Sequence, residues 1–101
     1  MKKMARVIVK FIPSFLAKEL MGDKSIPKEI FVPENSSMID LIEELDKISE
    51  GKFRKNIFKK GRIREDIIVL LNGKGISREN LENIRIKYGD EIIFLPMIDG
   101  G

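Results

Sequence analysis

The chain has 101 residues, 43% hydrophobic and 35% charged, with a formal net charge of +3. That balance fits one charge-coated globular domain, residues 1–101, with a core of its own, and it excludes a disordered chain. Cysteine and histidine are both absent, which removes disulfides, thiolate zinc sites, a cysteine nucleophile and the usual general base.

Ser-His-Asp hydrolysis and His-ligated metalloprotease chemistry are therefore excluded, and no metal site is expected. The apolar runs at residues 67–71 and 92–96 fall far short of the ~18 residues of a membrane span. Lys10 interrupts Val7-Ile8-Val9, so no signal-peptide core forms. A cytoplasmic protein with no membrane partner is expected. The small positive charge falls short of a nucleic-acid-binding composition, so nucleic acid is not an expected partner.

Residues 5–13 predict a strand, with Val7, Val9 and Phe11 alternating with Ile8, Lys10 and Ile12 before Pro13 ends it. Residues 14–21 fit one or two helical turns in which Phe15, Leu16 and Leu20 pack back. Residues 28–32 read as a second strand, antiparallel to the first. Pro33-Glu34-Asn35 is a turn. Ser36 or Ser37 then caps a helix, and Ser37 with Asp40 makes a capping-box pattern. Met38, Leu41, Ile42, Leu45 and Ile48 follow at three- and four-residue steps, an amphipathic helix with Gly51 as its C′ stop.

Residues 52–64 are dense in Lys and Arg, with Phe53, Ile57 and Phe58 interleaved. Such a run reads first as a solvated loop, and second as a contact to an acidic partner or tRNA. Residues 67–71 are apolar on both faces, as a central strand would be. Asn72-Gly73 is a tight-turn dipeptide leading to a short return at Gly75-Ile76. Residues 77–81 fit a turn or one helical turn, Tyr88-Gly89-Asp90 another turn, and residues 91–96 a final strand. Alternation places Val9, Phe11, Ile92 and Phe94 toward the helix. Ile12, Ile93, Leu95 and Met97 then fall on the other side, where an apolar patch would be a docking surface. One main helix on one face of a mixed sheet is an α+β two-layer arrangement.

Three stretches carry a resemblance. Pro33-Glu34-Asn35-Ser36-Ser37-Met38-Ile39-Asp40-Leu41-Ile42 resembles the P-E-G-x-T-V-x-D-L-L helix start of MoaD- and ThiS-type proteins. Ile68-Val69-Leu70-Leu71-Asn72-Gly73 resembles their V-x-V-N-G strand and turn. Tyr88-Gly89-Asp90-Glu91-Ile92, running on to Pro96, resembles their D-G-D-E-V-x-x-x-P final strand, and the chain closes on Gly100-Gly101 as theirs do. In this order the stretches resemble the MoaD/ThiS/ubiquitin-related-modifier group of β-grasp sulfur carriers. The segment 53–67, with Gly61-Arg62-Ile63-Arg64, is similar to the longer archaeal-type MoaD-like members.

The resemblance implies a ubiquitin-like β-grasp with first and last strands as parallel central neighbours and a flexible tail at about residues 97–101. It implies that a ubiquitin-activating-enzyme-like adenylyltransferase, using ATP, adenylates Gly101, which is then thiocarboxylated. Asp99 and Gly100 would thread the partner's channel. Ile12, Ile93, Leu95, Pro96, Met97 and Ile98 would dock partners, among them a large catalytic subunit of molybdopterin synthase or another sulfur-accepting enzyme. The chain would be a co-substrate, not an enzyme, and would bind no cofactor itself. Molybdopterin, tungsten cofactor, tRNA and thiazole remain open as sulfur destinations. A protein modifier joined to lysines and a plain ubiquitin-like binding module are the alternatives. Asp99 departs from the small or neutral residues usual before the two glycines, and Met97 from a frequent proline.

Overall fold

A computed structural model describes residues 3–22 and 29–97. Strand β1, Met4–Phe11, buries Ala5, Val7, Val9 and Phe11 and turns the alternate residues outward. It pairs antiparallel with β2, Glu29–Pro33, in the register Ala5↔Val32 and Val7↔Ile30. Its other edge pairs in parallel with the last strand, β7, Glu91–Pro96, from Ile8↔Glu91 to Phe11↔Phe94. Strand β5, Ile67–Leu71, lies antiparallel on the far side of β7, with Ile67↔Pro96 and Leu71↔Ile92. The two-residue strand β6, Lys74–Gly75, closes the sheet, whose order is β2-β1-β7-β5-β6. The first and last strands are thus the parallel neighbours the resemblance implied. β7 is the middle strand, and β5, paired on both edges, is interior as its two-faced apolar run predicts. Asn72 and Gly73 both take positive φ, 52° and 85°, which the tight turn to β6 requires and Asn-Gly tolerates.

Helix α2, Met38–Ile48, starts on the anticipated capping box. The Asp40 backbone amide donates to Ser37 Oγ at 3.1 Å, and the Ser37 amide donates to Asp40 Oδ2 at 2.8 Å. Met38, Leu41, Ile42 and Leu45 are fully buried. Its stop differs by one residue from the expectation. Glu50, not Gly51, takes the first left-handed position, at φ 56°. The Gly51 amide donates to the Asp46 carbonyl at 2.8 Å and the Glu50 amide to Lys47 at 3.2 Å, the two bonds of a Schellman ending.

Two further expectations need correction. Helix α1, Phe15–Met21, packs through Leu16, Leu20 and Met21, while Phe15 is 65% exposed. Leu16 and Leu20 are four apart and share a face; Phe15 lies a residue off it. The basic run is not a loop. It forms helix α3, Lys52–Ile57, followed by a hairpin of β3, Phe58–Lys59, and β4, Arg62–Ile63. Phe53 and Ile57, also four apart, are completely buried, and Lys and Arg occupy the outer face. Lys60 and Gly61 make the hairpin turn, both at positive φ. The turn expected within residues 77–81 forms at residues 78–79, and a separate single helical turn follows at Leu81–Asn83, burying Leu81.

The covered side of the sheet therefore carries α1 and α3 as well as α2. Its centre is an aromatic cluster. Phe11 and Phe94 stack at 5.3 Å across the parallel pair, and Phe53 meets them edge-on at 6.2 and 5.4 Å. Such pairs add about 0.5–1.5 kcal/mol beyond their area burial. The two strands that end nearest the tail are thereby locked to a helix that the charge pattern concealed.

Candidate functional site

β7 is held on both edges, so its end is a fixed point from which the chain leaves the sheet. The Met97 amide donates to the Asp66 carbonyl at 2.8 Å, one pairing beyond Ile67↔Pro96. Asp66 is in turn gripped by Arg64, whose Nε and Nη2 reach its two carboxylate oxygens at 3.0 and 2.6 Å. Arg64 Nη1 also donates to the Asn56 carbonyl at 3.2 Å and lies 3.5 Å from Glu19. One guanidinium thus joins α1, α3 and the base of β5. Its hydrogen bonds hold the Asp66 carboxyl below the ordinary carboxylate range, and Asp66 in turn raises the Arg64 pKa.

The start of β7 is fixed at the opposite end. The Ile8 amide donates to the Asp90 carbonyl at 2.9 Å, and Asp90 Oδ2 accepts from the Lys87 amide at 2.7 Å. Asn72 Oδ1 accepts from the Glu91 amide at 2.9 Å.

The helix-free side of the sheet carries the residues that alternation singled out. Lys10 and Leu70 flank Ile93, and Leu95 pairs with Ile68. The Ile12 amide donates to the Phe94 carbonyl at 3.0 Å, which continues the parallel ladder and sets Ile12 beside Leu95. Ile12 is 48% exposed and Met97, at the strand end, 47%. Ile68 and Leu70 complete this patch. The sequence signal for them was the two-faced apolar run of β5. Pro96 falls elsewhere: it pairs with buried Ile67 and lies half-buried on the covered side. Lys10 and Glu91 form an ion pair at 2.9 Å beside the patch. Ile98, Asp99, Gly100 and Gly101 lie outside the described residues.

The described residues gather no group of three or more carboxylates fit to hold a metal. Asp40 is spent on the helix cap, and Glu43 lies 3.6 Å from Arg54 on the wet face of α2. No described helix is long and apolar enough to cross a membrane. What the framework offers chemically is a sheet whose last strand ends, at Pro96 and Met97, beside an open apolar face.

A mixed sheet with parallel first and last strands at its middle, and helices on one side, defines the ubiquitin-like β-grasp class. Solved structures place the chain there. It is 29% identical to a putative molybdopterin converting factor subunit 1 from Pyrococcus furiosus, with 93% of this chain and 99% of that one covered at a TM-score of 0.62. It is 26% identical to the small archaeal modifier protein 1 from Methanosarcina acetivorans, with coverages of 98% and 99% and a TM-score of 0.64. The fold is also that of a chain in the Amycolatopsis orientalis BexX/CysO complex, at 20% identity, coverages of 96% and 99% and a TM-score of 0.64. A search of the curated proteins found no match. The ThiS family model matches residues 17–101, and the chain belongs to the ThiS family of small ubiquitin-like sulfur carriers and modifiers.

Proposed function

We propose that this protein is a sulfur carrier whose C-terminal Gly101 is adenylated and then thiocarboxylated by a partner adenylyltransferase. The observation that carries this reading is the sequence Gly100-Gly101, the fourth and fifth residues beyond a β7 held at the centre of the sheet. A terminal carboxylate is ionised at neutral pH, with a pKa near ~3.5, and is a poor electrophile. Its attack on the α-phosphorus of ATP, with pyrophosphate leaving, makes a mixed anhydride. Hydrosulfide supplied by the partner then attacks the carbonyl carbon and displaces AMP, and loss of the thiol proton leaves the thiocarboxylate. ATP and the sulfur-bearing group belong to the partner. Glycine, lacking Cβ, suits passage through a narrow channel.

The likeness to a putative molybdopterin converting factor subunit 1 supports a role as the small subunit of a molybdopterin synthase, beside a larger catalytic subunit that accepts the sulfur. The open patch around Ile12, Ile93 and Leu95 is the face for such partners, and Asp99 and Gly100 form the threaded segment. Intact-mass spectrometry of the native protein tests this: replacement of one C-terminal oxygen by sulfur is expected, and its absence from cells that make the cofactor defeats the proposal. The likeness to small archaeal modifier protein 1 favours a second reading, attachment of Gly101 to lysines. Lysine adducts without thiocarboxylate would select it. Retention of cellular function after deletion of Gly101 would exclude both and leave a ubiquitin-like binding module.

A further inference from the structure

A groove of about 1110 Å³ runs between the β3–β4 hairpin, β5 and residues 76–79. It exceeds the ~300–1,000 Å³ usual for small-molecule sites. Five cationic side chains line it against three carboxylates. Two of those carboxylates are already engaged: Asp66 with Arg64 at 2.6 Å, and Glu79 with Arg62 at 3.5 Å. The Arg62–Glu79 pair joins the hairpin to the loop, and both side chains are more than 60% exposed, so little free energy holds it. Among the described residues neither Lys59 nor Lys60 forms an ion pair.

Arg78 is the least ordinary member. Its Nη2 donates to the carbonyls of Glu65, at 2.8 Å, and Ile67, at 3.4 Å. These bonds orient the guanidinium at the edge of β5 that β6 is too short to cover. No carboxylate among the described residues pairs with Arg78, and its Nε and Nη1, on separate edges of the guanidinium, are left to donate single charge-assisted hydrogen bonds to carboxylates. Half-buried Ile68 and Ile76 line the same groove, as do buried Ile63 and Ile67.

We propose that this groove binds an extended acidic segment of a partner protein. Its carboxylates would meet Lys59, Lys60, Arg62 and Arg78, and its aliphatic side chains would rest on Ile68 and Ile76. Charge complementarity selects the occupant. A nucleic acid fits less well, because no Phe, Tyr or Trp lines the groove for bases to stack on. Asp66 also receives the Met97 amide, so a partner held here grips the chain beside the root of its tail. The inference stands apart from the carrier reading, since it concerns binding and not the fate of Gly101.

The test is a titration of the isotope-labelled full chain with a synthetic peptide of alternating Glu and Ile, followed by NMR. Saturable, salt-sensitive shifts of amides at residues 59–64 and 76–79 are expected. The double substitution Lys59→Glu with Lys60→Glu is expected to weaken binding at least about tenfold with an unchanged melting temperature. A matched Lys-Ile peptide is expected not to bind. Four results would overturn the proposal: no shifts at millimolar peptide, equal response to the Lys-Ile peptide, shifts confined to the Ile12–Leu95 face, or tighter binding of a single-stranded RNA oligonucleotide than of the acidic peptide.

Discussion

The Met97 amide and the Asp66 carbonyl meet at 2.8 Å, and this contact is the last rung of the ladder among the described residues. The same Asp66 offers its carboxylate to Arg64. Main chain and side chain of one residue thus tie the tail root to α1 and α3.

The carboxylate half of this arrangement can be removed alone. Asp66 is depressed below its unfolded value of about 3.9, so its pair contributes stability above that value and loses it as pH falls through the lower folded pKa. The side chain is 62% exposed, so solvent screens the pair and its worth stays at or below about 1 kcal/mol. Asp66→Asn should therefore lower stability by less than about 1 kcal/mol at pH 7. Urea unfolding of both proteins at neutral and strongly acid pH checks this; a gap that persists in acid refutes it.

Phe53→Ala should cost about 3–5 kcal/mol, because it opens a cavity between Phe11 and Phe94. Lys55→Ser on the outer face of α3 should stay within roughly 0.5 kcal/mol. Denaturant midpoints measure both. Equal, small effects would mean that residues 52–57 do not pack as a helix.

Ser37→Ala should cost about 1 kcal/mol by removing the acceptor for the Asp40 amide. Asp40→Ala should cost a similar amount. The double variant should lose less than the sum, since the two side chains close one reciprocal box. Strict additivity would show that the two caps act independently.

Leu95→Glu should leave the melting temperature nearly unchanged, because the side chain lies on the helix-free side. It should weaken binding of the activating adenylyltransferase more than tenfold, by setting a charge in the apolar patch. Phe15→Glu, at an exposed position on α1, should not. Calorimetry on purified proteins decides; equal losses for both would remove the open face as the docking site.

Where apolar residues recur at a clean period, the sequence read correctly. The strands β1 and β7 and helix α2 followed from alternation and from three- and four-residue steps, and the capping box from Ser37 and Asp40. The run at 52–64 misled because six residues make fewer than two turns, and Phe53 and Ile57 are the whole of its buried face. Their four-residue spacing was visible but was outweighed by the Lys and Arg between them. Phe15 failed for the converse reason, since hydrophobicity without the right phase does not bury a side chain. The groove beside β5 was not readable at all, because Arg78 and Lys59 are brought together only by the turn after β6 and the hairpin before β5.

The parallel pairing of Ile8 with Glu91 joins positions near opposite ends of the sequence. Closing that ladder carries a large loop-closure cost, so it belongs late in folding. During synthesis, β1 leaves the ribosome well before β7 and waits for it. Until then Phe11 has no Phe94 to stack on, and the middle of the sheet is missing. A prematurely terminated product lacking β7 would leave one edge of β1 unpaired and its apolar face incompletely covered, and be open to proteolysis. The topology thus acts as a proofreading device for the polypeptide: a molecule that has reached its native sheet has been translated at least through residue 96.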